Sequence, residues 1–361
     1  MGSILVVNAG STSLKLKAVA TDEESTRIAS FDDAPADVEA VAHRIVHGGM
    51  RFRDPVLIDD AVVEQIKELV VLAPLHNAPA LEAMDAAHRA FPQLPHVAVF
   101  DTSFHRTIPP EAAEYAVPRA WREDWGIRRY GFHGLSVEWC AKRVPELLGR
   151  PAGRLVVCHL GGGSSVTAVV DGRSVDTTMG FTPLEGVPMI TRSGSVDPGA
   201  LLYVLRERGI GVEALDHALS FDSRVEALAG MGGGMIEVER RAVSGGADAR
   251  LALDVMIHRL AAAVAAMSAS AGGLDAVAFT AGIGENSAVV RERLCNRLRF
   301  LGVDLDGARN ARAKPDCDVA TNGSPVRVLV IQAREELIAA RAARALLAGN
   351  PQAIHGPDRT P

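Results

Sequence analysis

One plan occurs twice in this chain, and it limits the fold more than any other feature. From Ile4, ILVVNAGSTSLKLKAVA reads as a β-branched strand, a turn of small polar residues from Asn8 to Ser13, and a second strand in which Leu14, Leu16 and Ala18 alternate with Lys15 and Lys17. From Leu155, LVVCHLGGGSSVTAVVDG repeats the plan, with Cys158, His159, Leu160 and the run from Gly161 to Ser165 standing where Val7 to Ser13 stood. The separation is far longer than the roughly 20–50 residues of a solenoid repeat, so a duplicated domain is expected. A third junction of this kind, AVAFTAGIGENS, is a buried strand running into a glycine turn, with Asn286 and Ser287 placed to cap the helix VVRERLCNRL.

Helical periodicity lies between the junctions, in PALEAMDAAHRAF, SVEWCAKRVPELLG, LALDVMIHRLAAAVAAMSA and REELIAARAARALLAG. Strands and helices therefore mix in both halves, and 361 residues suit two domains. Lys and Arg number 38 against 44 Asp and Glu, a net charge of −6, which provides no broad attraction for nucleic acid or an anionic membrane. Any bound phosphate must be held locally. The cysteines, Cys140, Cys158, Cys295 and Cys317, are far apart with no CxxC pair, so a reducing, cytoplasmic setting is expected and a zinc ribbon is not. MGSILVVNAG carries no basic leader, and the Ala-rich stretch Leu260 to Leu274 reads as a buried helix of a soluble protein. The Gly-rich stretch from Leu228 to Gly246 reads as a loop, a short charged helix and a loop.

Small residues at a strand turn suit phosphate, because successive N–H groups form a concave nest and glycine lets the main chain approach an anion. Two such nests in duplicated halves could grip a polyphosphate from both sides. Polar islands interrupt apolar surroundings at HRIVHGG, PLHNAP, FDTSFH, RRYGFHG and TRSGSVDPG. Arg44 and Arg192 could hold a carboxylate or phosphate by paired hydrogen bonds. His133 could donate to charge developing on a transferred phosphoryl, and Asp101 could orient an arginine, a water or a metal. Asn8 and an acid of the Arg334-Glu335-Glu336 run are oxygen ligands of the kind Mg2+ takes alongside water and phosphate. The reading is phosphoryl transfer from a Mg2+-bound donor to a small anionic acceptor, in a cleft between two related domains.

The chain closely resembles the acetate kinases, members of the acetate and sugar kinase, Hsp70 and actin superfamily. NAGSTSLK, HRIVHGG, APLHNAPAL, FDTSFH, RRYGFHG, HLGGGSS, MGFTPLEGVPM, TRSGSVDPG, FTAGIGENS and REELIAAR occur in the family's order. The resemblance implies two actin-like α/β domains with five-stranded mixed sheets: residues 1–105 with 337–361, and residues 106–336. It implies reversible transfer of the ATP γ-phosphoryl to a short-chain carboxylate with Mg2+, and a homodimer. Carried over by motif, the catalytic group is Arg44, Asp101, His133 and Arg192. The carboxylate pocket is Arg44, Val46, Leu75, His76, Phe132 and Pro183, sized for acetate and possibly propionate, and the metal positions are Asn8 and Glu335. Ser11, Ser13 and Lys15 match the first phosphate turn, His159, Gly161, Gly162 and Gly163 the second, and Gly282, Ile283, Gly284, Glu285 and Asn286 the adenosine side.

Two departures touch the donor. The family's HLGNG has Gly162 in place of asparagine, and the Asp and Arg that clasp ribose and adenine fall on Gly234 and Ile236. These raise a donor other than ATP, either pyrophosphate or a nucleotide used without regard to its base, or a sensor that binds acyl phosphate without turnover. A repressor would need a helix-turn-helix segment, whereas the first strand begins at residue 4. A filament protein has no use for Arg44, Asp101, His133 and Arg192 together. HRIVHGG also arrives early, so the first domain is expected to lack a peripheral segment while keeping its site residues.

Overall fold

Runs such as ILVV and VVCHL leave no polar face, so they belong in the middle of a sheet covered on both sides. The computed structural model, which describes residues 2–10 and 14–349, places them there. The chain divides into two compact units. One comprises Met1–Arg106, Tyr115–Trp139 and Arg334–Pro361; the other comprises Thr107–Glu114 and Cys140–Ala333. The first unit thus takes in Tyr115–Trp139 as well as the expected residues before 106. The reason is local: the segment through Phe132 and Gly134 is tied by hydrogen bonds to Asp101 and His105.

The first sheet runs β3 (Ser25–Ile28), β2 (Leu14–Val19), β1 (Ser3–Ala9), β4 (Val38–Ile45), β6 (His96–Phe100) and β5 (Val56–Leu57). β1, β4 and β6 are parallel, and β2 and β3 add antiparallel on one side. Ile4, Leu5, Val41, Ile45 and Phe100 are fully buried, each contributing about 1.5–3 kcal/mol. The helices Pro74–Ala90 and Glu335–Leu347 pack on β1 and β4. β2, between β3 and β1, buries Leu16, Ala18 and Val19 and exposes Leu14 and Lys15, so the alternation expected from Leu14 holds only over Leu16 to Ala18.

The second sheet repeats the order, with β7 (Arg154–Leu160), β8 (Ser164–Val170), β9 (Arg173–Thr177), β10 (Ala276–Thr280), β11 (Cys317–Asp318) and β12 (Arg327–Val330) arranged β11-β12-β10-β7-β8-β9. The parallel trio is β7, β10 and β12, and β8 and β9 again add antiparallel. Duplication is therefore a fact of topology. Each sheet has six strands, not five: the two-residue β5 and β11 pair antiparallel with β6 and β12, too short to leave a strand pattern in the sequence.

The helix Ala247–Ser270 is long and apolar enough to cross a bilayer by length and composition. It buries Ala252, Leu253, Met256, Leu260 and Val264 in the core of the second unit, against Val156, Val166 and Phe279 among others. The glycine turn expected after β10 is a short helix, Ala281–Asn286. Ser287 caps the next helix, Ala288–Arg297, accepting from the Val290 N–H at 3.0 Å, while the Asn286 amide turns back to the Gly282 carbonyl.

Candidate active site

Parallel strands aim their C-terminal ends at one edge, where loops open and ligands bind in α/β sheets. In the first unit Asn8, the penultimate residue of β1, stands opposite Arg44 of β4, and Asp101 follows the last residue of β6. The Arg44 guanidinium donates to Asp101 through Nε at 2.9 Å and through Nη2, and to Asn8 Oδ1 through Nη1 at 3.1 Å. Glu335, opening the final helix, lies 3.7 Å from Arg44 Nε, and the Asn8 amide donates to it at 3.4 Å. Four expected residues thus form one hydrogen-bonded cluster.

Asp101 is fully buried. Burial pushes its carboxyl up to about 6, with Arg44 pulling it down and Glu335 adding to the rise. For Arg44 burial acts to lower the guanidinium, and the carboxylates of Asp101 and Glu335 outweigh it, holding Arg44 above its ordinary value. The pair is fixed by its main chain as well. The Asp101 N–H donates to Ile45 O at 2.9 Å, and Gly134 N donates to Asp101 O at 2.9 Å. A Cβ at residue 134 would sit 2.1 Å from that carbonyl, so only glycine fits there. Its neighbour His133 is held left-handed at φ 61°, at the start of the helix Gly134–Leu148, with its own N–H on Asp101.

Two residues absent from the expected set tie these loops together. Asn77, fully buried, accepts from the His47 N–H at 3.2 Å and donates to the His47 carbonyl at 3.1 Å. The His47 ring accepts from Gly49 N at 2.9 Å and stands edge-on to Tyr130 and Phe132, at 4.6 and 5.3 Å between centroids. HGG, PLHN and RYGFHG therefore interlock, and the shared appearance of His, Asn and Gly in apolar runs was the only signal of it. Val46 and Phe132 are buried, while Leu75 and His76 are half-buried in the first turn of the helix Pro74–Ala90. Lys15 is exposed opposite Asn8 on β2. Ser11 and Ser13 lie outside the described residues.

Arg192, Pro183 and the donor-side turns belong to the second unit. Arg192 is held near Met189, its Nη1 3.8 Å from the sulfur, and burial pushes its guanidinium down. His159 ends β7 opposite Thr280 of β10. The following turn is closed by Gly161 N on Gly163 O at 3.0 Å and by Thr191 Oγ1 on Gly162 O at 2.9 Å. A Cβ on Gly161 would lie 3.6 Å from that of Ala281, so this turn and the helix holding Gly282, Ile283, Gly284, Glu285 and Asn286 are neighbours. Behind that helix is Arg291, only 2% exposed and also missed, which donates to the carbonyls of Gly284 and Glu285 at 2.9 Å. Around Gly162 nothing lies within 4 Å of a Cβ. Gly234 starts a short helix with its N–H on the Glu226 carboxylate, and Ile236 is 84% exposed.

The profile of the Acetokinase family matches residues 26–341. An acetate kinase of Leifsonia xyli is 49% identical over 316 residues, 86% of this chain and 79% of its own. One of Nostoc punctiforme is 48% identical over 306 residues, 84% and 75%. Among solved structures, a propionate kinase of Francisella tularensis superposes with a TM-score of 0.87 at 34% identity, covering 95% of this chain and 99% of its own.

Proposed function

The chain belongs to the acetokinase family and is an enzyme of it, and from that premise we propose that it moves the γ-phosphoryl of ATP reversibly onto a short-chain carboxylate, acetate or propionate. The observation that carries this reading is the Asn8–Arg44–Asp101–Glu335 cluster at the strand ends. Asp101 takes up the Nε–Nη2 edge of the Arg44 guanidinium and so fixes where the remaining N–H groups aim, toward the acceptor's carboxylate. An acceptor oxygen attacks phosphorus, the bond to the β-phosphate oxygen breaks, and ADP leaves with that electron pair. Arg192 and His133 are assigned to the charge on the phosphoryl in transit. Val46, Leu75, Phe132 and Pro183 are assigned to the acyl chain, where one methylene is worth about 1–3 kcal/mol and both acids would be used.

The cluster's donors, Asn8, Asp101 and Glu335, are all oxygens, which suits Mg2+. Among the described residues no group of three His, Cys, Asp or Glu gathers as a metal site. Bound at the cluster, Mg2+ would neutralise phosphate charge; Asn8 and Glu335 would hold it.

One observation favours a second reading of the donor. The open space at Gly162 and the exposed Ile236 leave the base and ribose without the groups the family uses, which supports weak, base-indifferent nucleotide use or pyrophosphate. Initial rates of acyl phosphate formation, trapped as hydroxamate, with ATP, GTP and pyrophosphate at equal concentration decide between them. A strong ATP preference supports the first reading and equal ATP and GTP rates the second. No product from the wild type with any donor, the same result as Arg192→Ala, refutes catalysis and leaves a sensor.

A further inference from the structure

His133 has a backbone form that residues with a Cβ rarely take, φ 61°, so the groups that hold it there decide where its ring points. Two peptide planes meet at its Cα, and each is gripped at both ends. The plane after it is held by main chain: Gly134 N donates to Asp101 O at 2.9 Å, and His133 O accepts from Val137 N at 2.9 Å in the first turn of the helix Gly134–Leu148. The plane before it is held by side chains: the His133 N–H donates to the Asp101 carboxylate, and Phe132 O accepts from His105 Nε2 at 2.9 Å.

Three of these four anchors come from Asp101 or from the helix itself. The fourth is His105, which is 3% exposed in the 3-10 turn Ser103–Thr107 with its N–H on Thr102 O at 3.1 Å, so one short loop carries both Asp101 and His105. Burial lowers the ring to about 4 and keeps it neutral, with a single ring hydrogen. A carbonyl only accepts, so that hydrogen stands on Nε2. Without it the Phe132–His133 plane is free to turn about its one remaining anchor, and the His133 ring turns with it. The Phe132 ring is held by other means, buried and edge-on to His47 at 5.3 Å between centroids.

We propose that His105 is a positioning residue for His133, holding the Phe132–His133 peptide so that the His133 ring meets the phosphoryl in transit; the role rests on the phosphoryl transfer proposed for this chain.

Amide hydrogen exchange and steady-state kinetics of the full chain test this together. His105→Phe keeps a ring and loses the donor. In it the His133 N–H should exchange at least about tenfold faster than in the wild type, and kcat should fall at least about tenfold, since an ångström of misplacement at a reacting centre costs up to about a hundredfold. KM for nucleotide and carboxylate should stay within about twofold. His105→Leu, which is smaller, gives the same reading where phenylalanine does not fit. His105→Gln loses the ring and keeps an amide donor for Phe132 O, and should restore both exchange and kcat. In a His133→Ala background His105→Phe should cost no further kcat, a result that general loosening of the fold would not give. Unchanged exchange at His133 in both His105→Phe and His105→Leu overturns the proposal, and so does an equal loss of kcat with and without the His133 ring. A wild type that makes no acyl phosphate but shows the exchange difference upholds the positioning and refutes the transfer reaction instead.

Discussion

Asn8 and His159 hold the same position in two sheets of the same strand order, each the penultimate residue of a strand flanked by one antiparallel and one parallel neighbour. Their partners across the parallel pair are Arg44 in one unit and Thr280 in the other. In the first unit the strand ends present charges that satisfy one another. In the second they present glycine turns and main chain, steadied from behind by a buried arginine. A shared backbone thus fixes where a residue stands, and the side chain decides whether the edge works by charge or by exposed N–H groups. Charge networks fail when one member goes, whereas main-chain nests tolerate change until their support is lost.

The sharpest test of that contrast is to remove one member from each strand edge. Asp101→Ala leaves the Arg44 guanidinium without its main partner, an expected loss of about 3–5 kcal/mol in stability, together with loss of acyl phosphate formation. Thr280→Val, at the place equivalent to Arg44, removes only a hydroxyl and should lower stability by at most about 1.5 kcal/mol. Urea denaturation of both variants measures the difference, and equal losses would break the comparison.

Next in size is the support behind the second unit's turn. Arg291 also donates to Asn310 Oδ1 at 2.7 Å and Asn310 O at 3.0 Å. Arg291→Met strips the Gly284 and Glu285 carbonyls of their donor, at roughly 1–3 kcal/mol for each buried group left unpaired. The KM for nucleotide should rise while that for the carboxylate stays put. A matching rise in carboxylate KM would mean that the turn does not act on the donor alone.

Acidity should act on the charged edge. With Asp101 titrating at about 6, the rate should fall about tenfold per unit below that pH, and the residual activity of Asp101→Asn should lack this limb. The stability effect of Asp101 has the opposite sense. Its folded value lies above its unfolded one, so its contribution is greatest in acid and declines as pH rises toward 6. His43 and His105 work the other way: burial lowers them to about 3 and about 4, keeping the rings neutral in the fold. Unfolded chains protonate them below their ordinary value, so their contribution is lost as pH falls from near 6.5. Denaturation midpoints of His43→Asn and wild type between pH 7.5 and 5 should therefore converge on acidification.

How much of this could be read in the residues beforehand follows the same division. The duplicated hairpins, the buried central strands and the Ser287 cap were legible, because strand period, β-branching and capping are local. Asn8, Arg44, Asp101 and Glu335 were legible as candidates by chemistry and by resemblance; that they share hydrogen bonds required the fold. The short strands Val56–Leu57 and Cys317–Asp318 left no trace, since two residues cannot show a period. The Ala281–Asn286 helix was hidden by its two glycines, which read as a turn. Asn77 was missed because its partners are the main-chain groups of His47, and Arg291 because the Gly284 and Glu285 carbonyls and Asn310 meet around it only in the fold.

The smallest predicted effect is also the one that tests the second unit most directly. Gly162 has no φ that demands glycine, and nothing stands within 4 Å of a Cβ built on it. Gly162→Asn should therefore fold with unchanged stability while supplying an amide donor beside the turn where the family carries one. A single added hydrogen bond to a phosphate is worth about 1.5–3 kcal/mol when fully made and less at an exposed turn, so a fall in nucleotide KM of about threefold to tenfold is expected, with carboxylate KM unaltered. The result sharpens the contrast in either direction. If ATP and GTP improve alike, the added donor reads phosphate only and the open base pocket remains the cause of weak discrimination. If KM does not move, the main-chain nest was already sufficient, and the missing asparagine has no bearing on donor use.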